Sequence, residues 1–152
     1  MMHMKKVKYL VVALALGVLA SCDEGRYETK ISSHGENESH NEGMDCMICH
    51  GSGGDGEGWF SVAGTVYDSL LIETYPNTTV KLFTGPAGTG ELKYTIEGDS
   101  RGNFYTTKKV KFGNGLYPAI EGGTGTRYMS TPITVGNCAS CHGNTTSRLW
   151  TK

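Results

Sequence analysis

The sequence predicts a mainly β protein: a small antiparallel β-sandwich flanked by two irregular or short-helical segments, each with one Cys-x-x-Cys-His motif. Three observations predict this fold. The chain is rich in glycine, with 22 among 152 residues, several short runs alternate apolar and polar residues, and glycine or proline separates those runs. A chain of this length has room for one modest domain with short appendages.

Residues 1–21 have the pattern of a signal peptide. A basic start precedes an apolar run from Tyr9 to Ala20, which is too short for a comfortable membrane span and has the length of a secretory signal. The run ends in Leu19-Ala20-Ser21-Cys22, which resembles the bacterial lipoprotein signal. That resemblance implies cleavage before Cys22 and lipidation of Cys22. The alternative is an ordinary signal peptide that leaves Cys22 as a free thiol.

The resemblance implies an exported protein, anchored by lipid to a membrane and facing the periplasm or the cell surface. Two or three acyl chains would hold the protein there, since each buried methylene contributes roughly 0.8 kcal/mol. The count of five cysteines agrees with this interpretation, because the four besides Cys22 form two identical pairs. Which membrane receives the anchor stays open.

Charge excludes one class of partner. Removing the leader's three lysines from the 14 basic residues leaves 11 against 15 acidic ones, with no basic stripe of the kind that binds nucleic acid. Acidic residues are concentrated between positions 23 and 57. They could steer a basic redox partner, or they could simply solvate a polar linker.

Residues 22–42 are predicted to be a flexible polar tether, because Ile31 is almost their only apolar residue and they cannot bury enough surface to offset ordering. Residues 43–58 contain the first motif, Cys46-Met47-Ile48-Cys49-His50. A glycine-dense loop follows at residues 51–58 and can wrap closely around a bulky group.

Residues 59–121 are predicted to form the sandwich. Alternation is clear where Leu92, Tyr94 and Ile96 interleave with polar residues. The predicted strands are Trp59 to Tyr67, Thr78 to Thr84, Glu91 to Glu97, Asn103 to Thr107 and Gly115 to Ile120. Gly64-Thr65-Val66 and Asp99-Ser100-Arg101-Gly102-Asn103-Phe104 resemble motifs of the carboxypeptidase-regulatory-like or transthyretin-like family. That resemblance implies a scaffold or binding module and no catalysis.

Residues 122–152 hold the second motif, Cys138-Ala139-Ser140-Cys141-His142. Two thiols three positions apart, followed at once by an imidazole, match the geometry for attaching both thiols to one haem while the histidine binds its iron. Two such motifs predict two covalently bound haem c groups. Cys46, Cys49, His50, Cys138, Cys141 and His142 are therefore the expected cofactor-binding residues.

Other uses of the four paired cysteines remain open at this point. Together they could form one structural zinc site, although free thiolates are uncommon outside the cytoplasm and both histidines would stay unexplained. Disulfides are compatible with an oxidising compartment. A thioredoxin-like exchanger lacks its usual βαβ context.

The second axial ligand of each iron is harder to predict. Once the leader's His3 and the two motif histidines are set aside, only His34 and His40 can supply another imidazole, and Met44, Met47 and Met129 are the available thioethers. His40 lies six residues before Cys46, and Met129 nine residues before Cys138. We therefore expect His40 opposite His50 and Met129 opposite His142, with different potentials for the two haems.

The sequence thus predicts a di-haem c-type cytochrome that carries single electrons between redox proteins outside the cytoplasm, and that is not an enzyme. Its donor and acceptor are not indicated, and an oligomer is compatible with the sequence. The alternative is a small peroxidase-like haem enzyme or sensor with an open sixth position. Di-haem peroxidases carry two such motifs but are much longer.

Overall fold

The computed structural model describes residues 28–152. The predicted signal peptide and the predicted lipidation site, Cys22, lie outside the described residues. Eight strands form the framework: β1 Val62–Tyr67, β2 Thr79–Phe83, β3 Leu92–Glu97, β4 Asn103–Thr106, β5 Tyr117–Glu121, β6 Thr126–Tyr128, β7 Gly136–Asn137 and β8 Leu149–Trp150. Within these described residues, helix is limited to one α-helical turn, α1 (Cys46–Cys49), and to 3₁₀ turns at Pro86–Gly88 and Cys138–Ser140. None of these turns has the length and apolar character needed to cross a membrane.

The first sheet is built around β1. Strand β4 pairs with it in antiparallel fashion, with Val62 opposite Thr106. The other edge of β1 is shared by two short parallel strands, β7 opposite Val62 and Ala63 and β8 opposite Val66 and Tyr67. The chain between β7 and β8, which contains the second motif, therefore leaves and rejoins the same strand edge.

The second sheet has the order β3-β2-β5-β6 and is antiparallel throughout. The prediction of a mainly β sandwich is confirmed, and the five predicted strands correspond to β1–β5. Strands β7 and β8, which lie outside the predicted sandwich residues 59–121, pair with β1 in parallel. These two strands and β6 were not predicted, because two or three residues are too few to show alternation.

The core lies between the two sheets. Alternation along β2 turns Val80 and Leu82 inward, at 2% and 0% exposure. The buried cluster consists of Val62, Val66, Val80, Leu82, Ile96, Phe104, Val110, Leu116 and Ile120. All six residues of β1 are buried. The Gly43 N–H donates a hydrogen bond to Thr65, and the Arg148 guanidinium lies over the Tyr67 ring. The two segments that contain the Cys-x-x-Cys-His motifs thus help to cover β1.

Residues 28–42, predicted as part of a flexible tether, instead run along β4. Ile31 pairs with Thr106, and the Ser32 N–H donates to the Tyr105 carbonyl at 3.0 Å. Ser32 is 1% exposed. Hydrogen bonding to the free edge of β4 holds this segment, a contribution that apolar composition does not reveal.

Candidate functional site

The first motif is a single capped helical turn. The Asp45 carboxylate accepts a hydrogen bond from the Met47 N–H at 3.0 Å, and the His50 N–H donates to the Cys46 carbonyl at 2.8 Å. In α1, residues three and four positions apart lie on one face. The turn therefore places the Cys46 and Cys49 side chains and the His50 imidazole on the same side.

The His50 ring is fixed by the glycine-dense loop that follows it. Its Nδ1 lies 2.9 Å from the Glu57 carbonyl and 3.3 Å from that of Gly58. Because a carbonyl only accepts, Nδ1 carries the proton, and Nε2 is left with the lone pair that a metal needs. A Cβ at Gly56 would lie 2.8 Å from Nδ1, so the loop can close over the ring only with glycine there. Phe60 stacks on the other side, with ring centroids 4.3 Å apart.

A cavity of about 620 Å³ lies beside this motif. That volume is within the range of about 300–1,000 Å³ typical of cofactor and small-molecule sites. Both thiols of the motif and the His50 imidazole line it, as does His40. The remaining apolar and aromatic walls are contributed by Ile31, Met44, Ile48, Phe60 and Tyr105.

His40 faces the motif histidine at a distance that suits one metal between them. The ring centroids of His40 and His50 are 6.0 Å apart, and the rings are inclined by 43°. Both histidines line the same cavity as the two cysteines of the motif. Two thiols and two imidazoles beside a cavity of this size are residues that would suit a covalently attached haem.

Buried polar groups hold the chain around His40. Asn103, 3% exposed, donates from Nδ2 to Ser39 Oγ at 2.9 Å and to the His40 carbonyl at 3.4 Å. Its Oδ1 accepts from the Thr65 hydroxyl at 2.6 Å. A hydrogen bond from Arg101 to Glu42 lowers the pKa of that carboxyl and fastens the same loop.

The second motif repeats the geometry of the first. Asn137 caps its 3₁₀ turn by accepting from the Ser140 N–H at 3.2 Å, and the His142 N–H donates to the Cys138 carbonyl at 2.9 Å. His142 Nδ1 lies 2.8 Å from the Ser147 carbonyl, so Nδ1 donates in this contact and Nε2 takes no part in it. The two motif histidines are therefore held in the same way, each through Nδ1 to a backbone carbonyl.

The two motifs are joined directly. Asn137 Nδ2 donates to Asp45 Oδ2 at 2.9 Å, so the residues that cap the two turns are hydrogen-bonded to each other. Burial raises the pKa of the Cys138 thiol, and the thiolate form of nearby Cys46 would raise it further. Segments 92 residues apart in the chain thus meet at their first cysteines.

The first thiol of each motif is partly buried. Burial raises the pKa of Cys46, and it raises the pKa of Cys138 to about 12, so both are protonated at neutral pH. Reactive thiols have lowered pKa values. Within residues 28–152 no three His, Cys, Asp or Glu side chains converge to hold a metal ion.

The structure does not bring Met129 and His142 together in a common cavity. Met129 follows β6, where its N–H donates to the Pro118 carbonyl at 2.9 Å, and it lines neither the large cavity nor a smaller one beside His142. That smaller cavity is lined instead by Met44, one of the three thioethers considered from sequence, which is 62% exposed.

Sequence reasoning missed three positioning residues: Asp45, Asn137 and Asn103. A signal for the first two exists, because each motif is preceded by a residue type that favours helix N-caps. No local signal marks Asn103, whose role depends on tertiary contacts. Comparison of the chain with protein-family models, with curated proteins and with solved structures found no match.

Proposed function

We propose that this chain is a membrane-anchored di-haem c-type cytochrome that carries single electrons between redox proteins outside the cytoplasm. One observation carries the proposal. In both motifs a helical turn presents two cysteines and a histidine whose Nδ1 donates to a backbone carbonyl, which leaves Nε2 free to bind iron. A histidine held for another purpose would not require two neighbouring thiols at the same spacing in both segments.

The first haem would occupy the large cavity. Cys46 and Cys49 would each add across one vinyl group, with sulfur bonding one carbon and the thiol hydrogen passing to the other. His50 and His40 would bind the iron, and the 6.0 Å spacing of their rings supports that assignment. The bound iron supplies reversible one-electron chemistry. Phe60 and Tyr105, which stack at 4.8 Å, would exclude water from one side.

The second haem would be held by Cys138, Cys141 and His142. Met129 remains a proposed distal ligand from sequence, and Met44 is a further one because it shares a small cavity with His142. A thioether in either position would raise the potential of this haem above that of a haem with two histidines. Electrons would then pass preferentially from the first haem to the second.

Direct exchange between the haems is supported by the contact between the two motifs. The hydrogen bond from Asn137 to Asp45 and the proximity of Cys46 to Cys138 bring both attachment points to one side of the protein. The chain would therefore need one docking event to receive an electron and another to release it, with no partner in between.

The decisive experiment counts the haems. Mature protein produced with a haem-attachment system should show the intact mass of two haems and a pyridine haemochrome of the same stoichiometry. Cys49→Ala and Cys141→Ala should each impair attachment at one motif only. A mass gain of fewer than two haems in the parent protein, or bound zinc, would overturn the proposal.

A second experiment tests the axial histidine. His40→Ala should convert the first haem to a high-spin form that binds carbon monoxide. His34→Ala is the matched control, because His34 lies in the same segment but its Nε2 is 3.0 Å from the Thr78 carbonyl and it does not line the cavity. Identical spectra for the two variants would remove His40 as a ligand.

A small haem enzyme or sensor is the second candidate, and one observation favours it. Cys141 is exposed and Met129 shares no described cavity with His142, so the sixth position of the second haem could be open. Rapid carbon monoxide binding by one haem of the reduced parent protein would favour this candidate. No binding would favour a pure electron carrier.

The anchor is tested separately. If Cys22 is acylated, the amino-terminal peptide of the mature protein should carry the mass of its acyl chains, and Cys22→Ser should release the protein into the soluble fraction. An unmodified Cys22 would leave the haem proposal intact and remove the lipoprotein part.

A further inference from the structure

Three exposed lysines lie in one short loop between β4 and β5. Lys108, Lys109 and Lys111 are exposed, whereas Val110 is 9% exposed and belongs to the core cluster. The Lys111 N–H donates to the Tyr94 hydroxyl at 2.9 Å. Buried Val110 and this hydrogen bond fix the backbone, so the lysine loop, residues 108–111, presents its charges from a defined position.

The three lysines of this loop lie together without an acidic partner. Within residues 28–152, four basic side chains are paired with a carboxylate, namely Lys30, Lys81, Lys93 and Arg101. Arg127 and Arg148 lie over aromatic rings, which leaves their charge in place, and Lys152 has no carboxylate side chain beside it. Three of the six cations without a carboxylate partner thus belong to the lysine loop, in a protein whose mature chain is acidic overall.

The lysine loop lies where the chain arrives from Cys22. The Thr107 N–H donates to the Lys30 carbonyl at 2.9 Å, and a Cβ at Gly58 would lie 3.1 Å from both the Glu28 carbonyl and the Thr107 side chain. Six residues separate Cys22 from Glu28, and an extended chain of that length spans about 20 Å at most. A lipid on Cys22 would therefore keep this end of the sandwich close to the membrane.

The nearby carboxylates do not cancel the charge of the loop. Glu28 and Glu57 both pair with Lys30, and their hydrogen bonds and charges raise the pKa of that ammonium. That cluster has a net charge of −1, against three positive charges in the loop. The three positive charges of the loop thus exceed the negative charge of this cluster.

We propose that the lysine loop docks on the anionic headgroups of the membrane that holds the lipid anchor, and so orients the sandwich with the β1–β8 end outward. The inference rests on the lipoprotein part of the proposed function and not on the haems. A membrane suits this surface because an acyl anchor and a basic patch act together on anionic lipid. An acidic protein partner is less suited to this surface, because the lipid anchor would not bring such a partner close to the lysine loop.

Lysine footprinting tests the orientation on the acylated, haem-loaded protein. Vesicles of phosphatidylcholine alone are compared with vesicles that also contain phosphatidylglycerol, and amine acetylation is read by mass spectrometry. Lys108, Lys109 and Lys111 should react severalfold more slowly on the anionic vesicles, and high salt should remove the difference. Lys152 is the internal control, since it is exposed, unpaired and at the opposite end of β1, where Thr151 bonds to Tyr67.

Competition between the two kinds of vesicle tests the same surface through variants. Each lysine near an anionic surface contributes enough that its loss should reduce the preference for anionic vesicles roughly fivefold. Lys109→Ala should show this loss, whereas Lys152→Ala, with the same change in net charge, should keep the parent preference.

Each result has one meaning. Equal acetylation of the loop on both kinds of vesicle, or equal effects of Lys109→Ala and Lys152→Ala, overturns the docking inference while the anchor stands. Protein that lacks acyl chains and binds neither vesicle overturns the anchor proposal and the inference with it. Protection of the loop by an acidic redox protein but not by anionic vesicles assigns the surface to that partner and overturns the inference.

Discussion

Replacement of Asn103 by alanine should loosen the loop that positions His40, although Asn103 is not itself a proposed haem ligand. Asn103 lies 3% exposed on β4, where its side chain donates to Ser39 and accepts from Thr65, which is 7% exposed. Truncation leaves the Thr65 hydroxyl without its acceptor in a buried setting. Such a loss costs about 1–3 kcal/mol, so we expect the free energy of unfolding to fall by that amount.

The same change should be visible at the iron. If about 1.4 kcal/mol of the lost free energy had held the loop in place, the population with His40 detached would rise about tenfold. Carbon monoxide should then bind the reduced first haem about tenfold faster, because detachment opens the sixth position. The measurements are urea unfolding and the carbon monoxide association rate.

Asn37→Ala is the control for both measurements. Asn37 is exposed in the same segment, and the substitution removes the same chemical group. The reasoning is refuted if the two variants unfold at the same urea concentration and bind carbon monoxide at the parent rate. A stability loss with an unchanged rate would show that Asn103 supports the sandwich but does not position His40.

Three further outcomes are expected. Gly64→Ala would place a Cβ 2.8 Å from the Phe104 ring and 3.1 Å from Cys138 Cβ, so overpacking should lower the free energy of unfolding by about 1–3 kcal/mol in urea titrations. In the haem-free, reduced chain, burial raises the pKa of Cys138 to about 12, so its contribution to stability should be complete below pH 9 and fall between pH 9 and pH 12. Cys138→Ala should abolish that part of the alkaline loss; an unchanged pH profile would contradict it. Asn137→Ala removes the bond to Asp45 and should slow electron exchange between the haems in flash photolysis, whereas an exchange rate equal to that of the parent would show that the bond is dispensable.

Much of the sheet structure could be predicted from the sequence, because alternation along β2 and β3 reflects burial of one face. Short strands such as β7 could not, since their pairing depends on the edge that β1 offers. The segment before the first motif was misjudged for the same reason. Its order comes from backbone groups on β4, and hydrogen-bonding partners far away in the chain leave no trace in local composition.

The candidate site, like the fold, could be predicted from local sequence only in part. Each motif carries its own signal within five residues, since the chemistry requires neighbouring thiols and an imidazole. The proximity of His40 to His50 was expected from loop length alone, and the structure brings the two rings to 6.0 Å. Met129 follows β6 in the second sheet, and its place relative to His142 stays a prediction. The position of each candidate ligand, His40 or Met129, depends on the strand beside which its loop lies.

The shared edge of β1 has a consequence for the solubility of immature protein. Strands β7 and β8 satisfy the backbone groups on that side of β1, and they flank the segment that would receive the second haem. If that segment separates before haem attachment, β1 presents an apolar, unpaired edge of six residues that can recruit another chain. Attachment of the second haem would then protect the chain from aggregation. Chains that fail to receive this haem should be the first to precipitate.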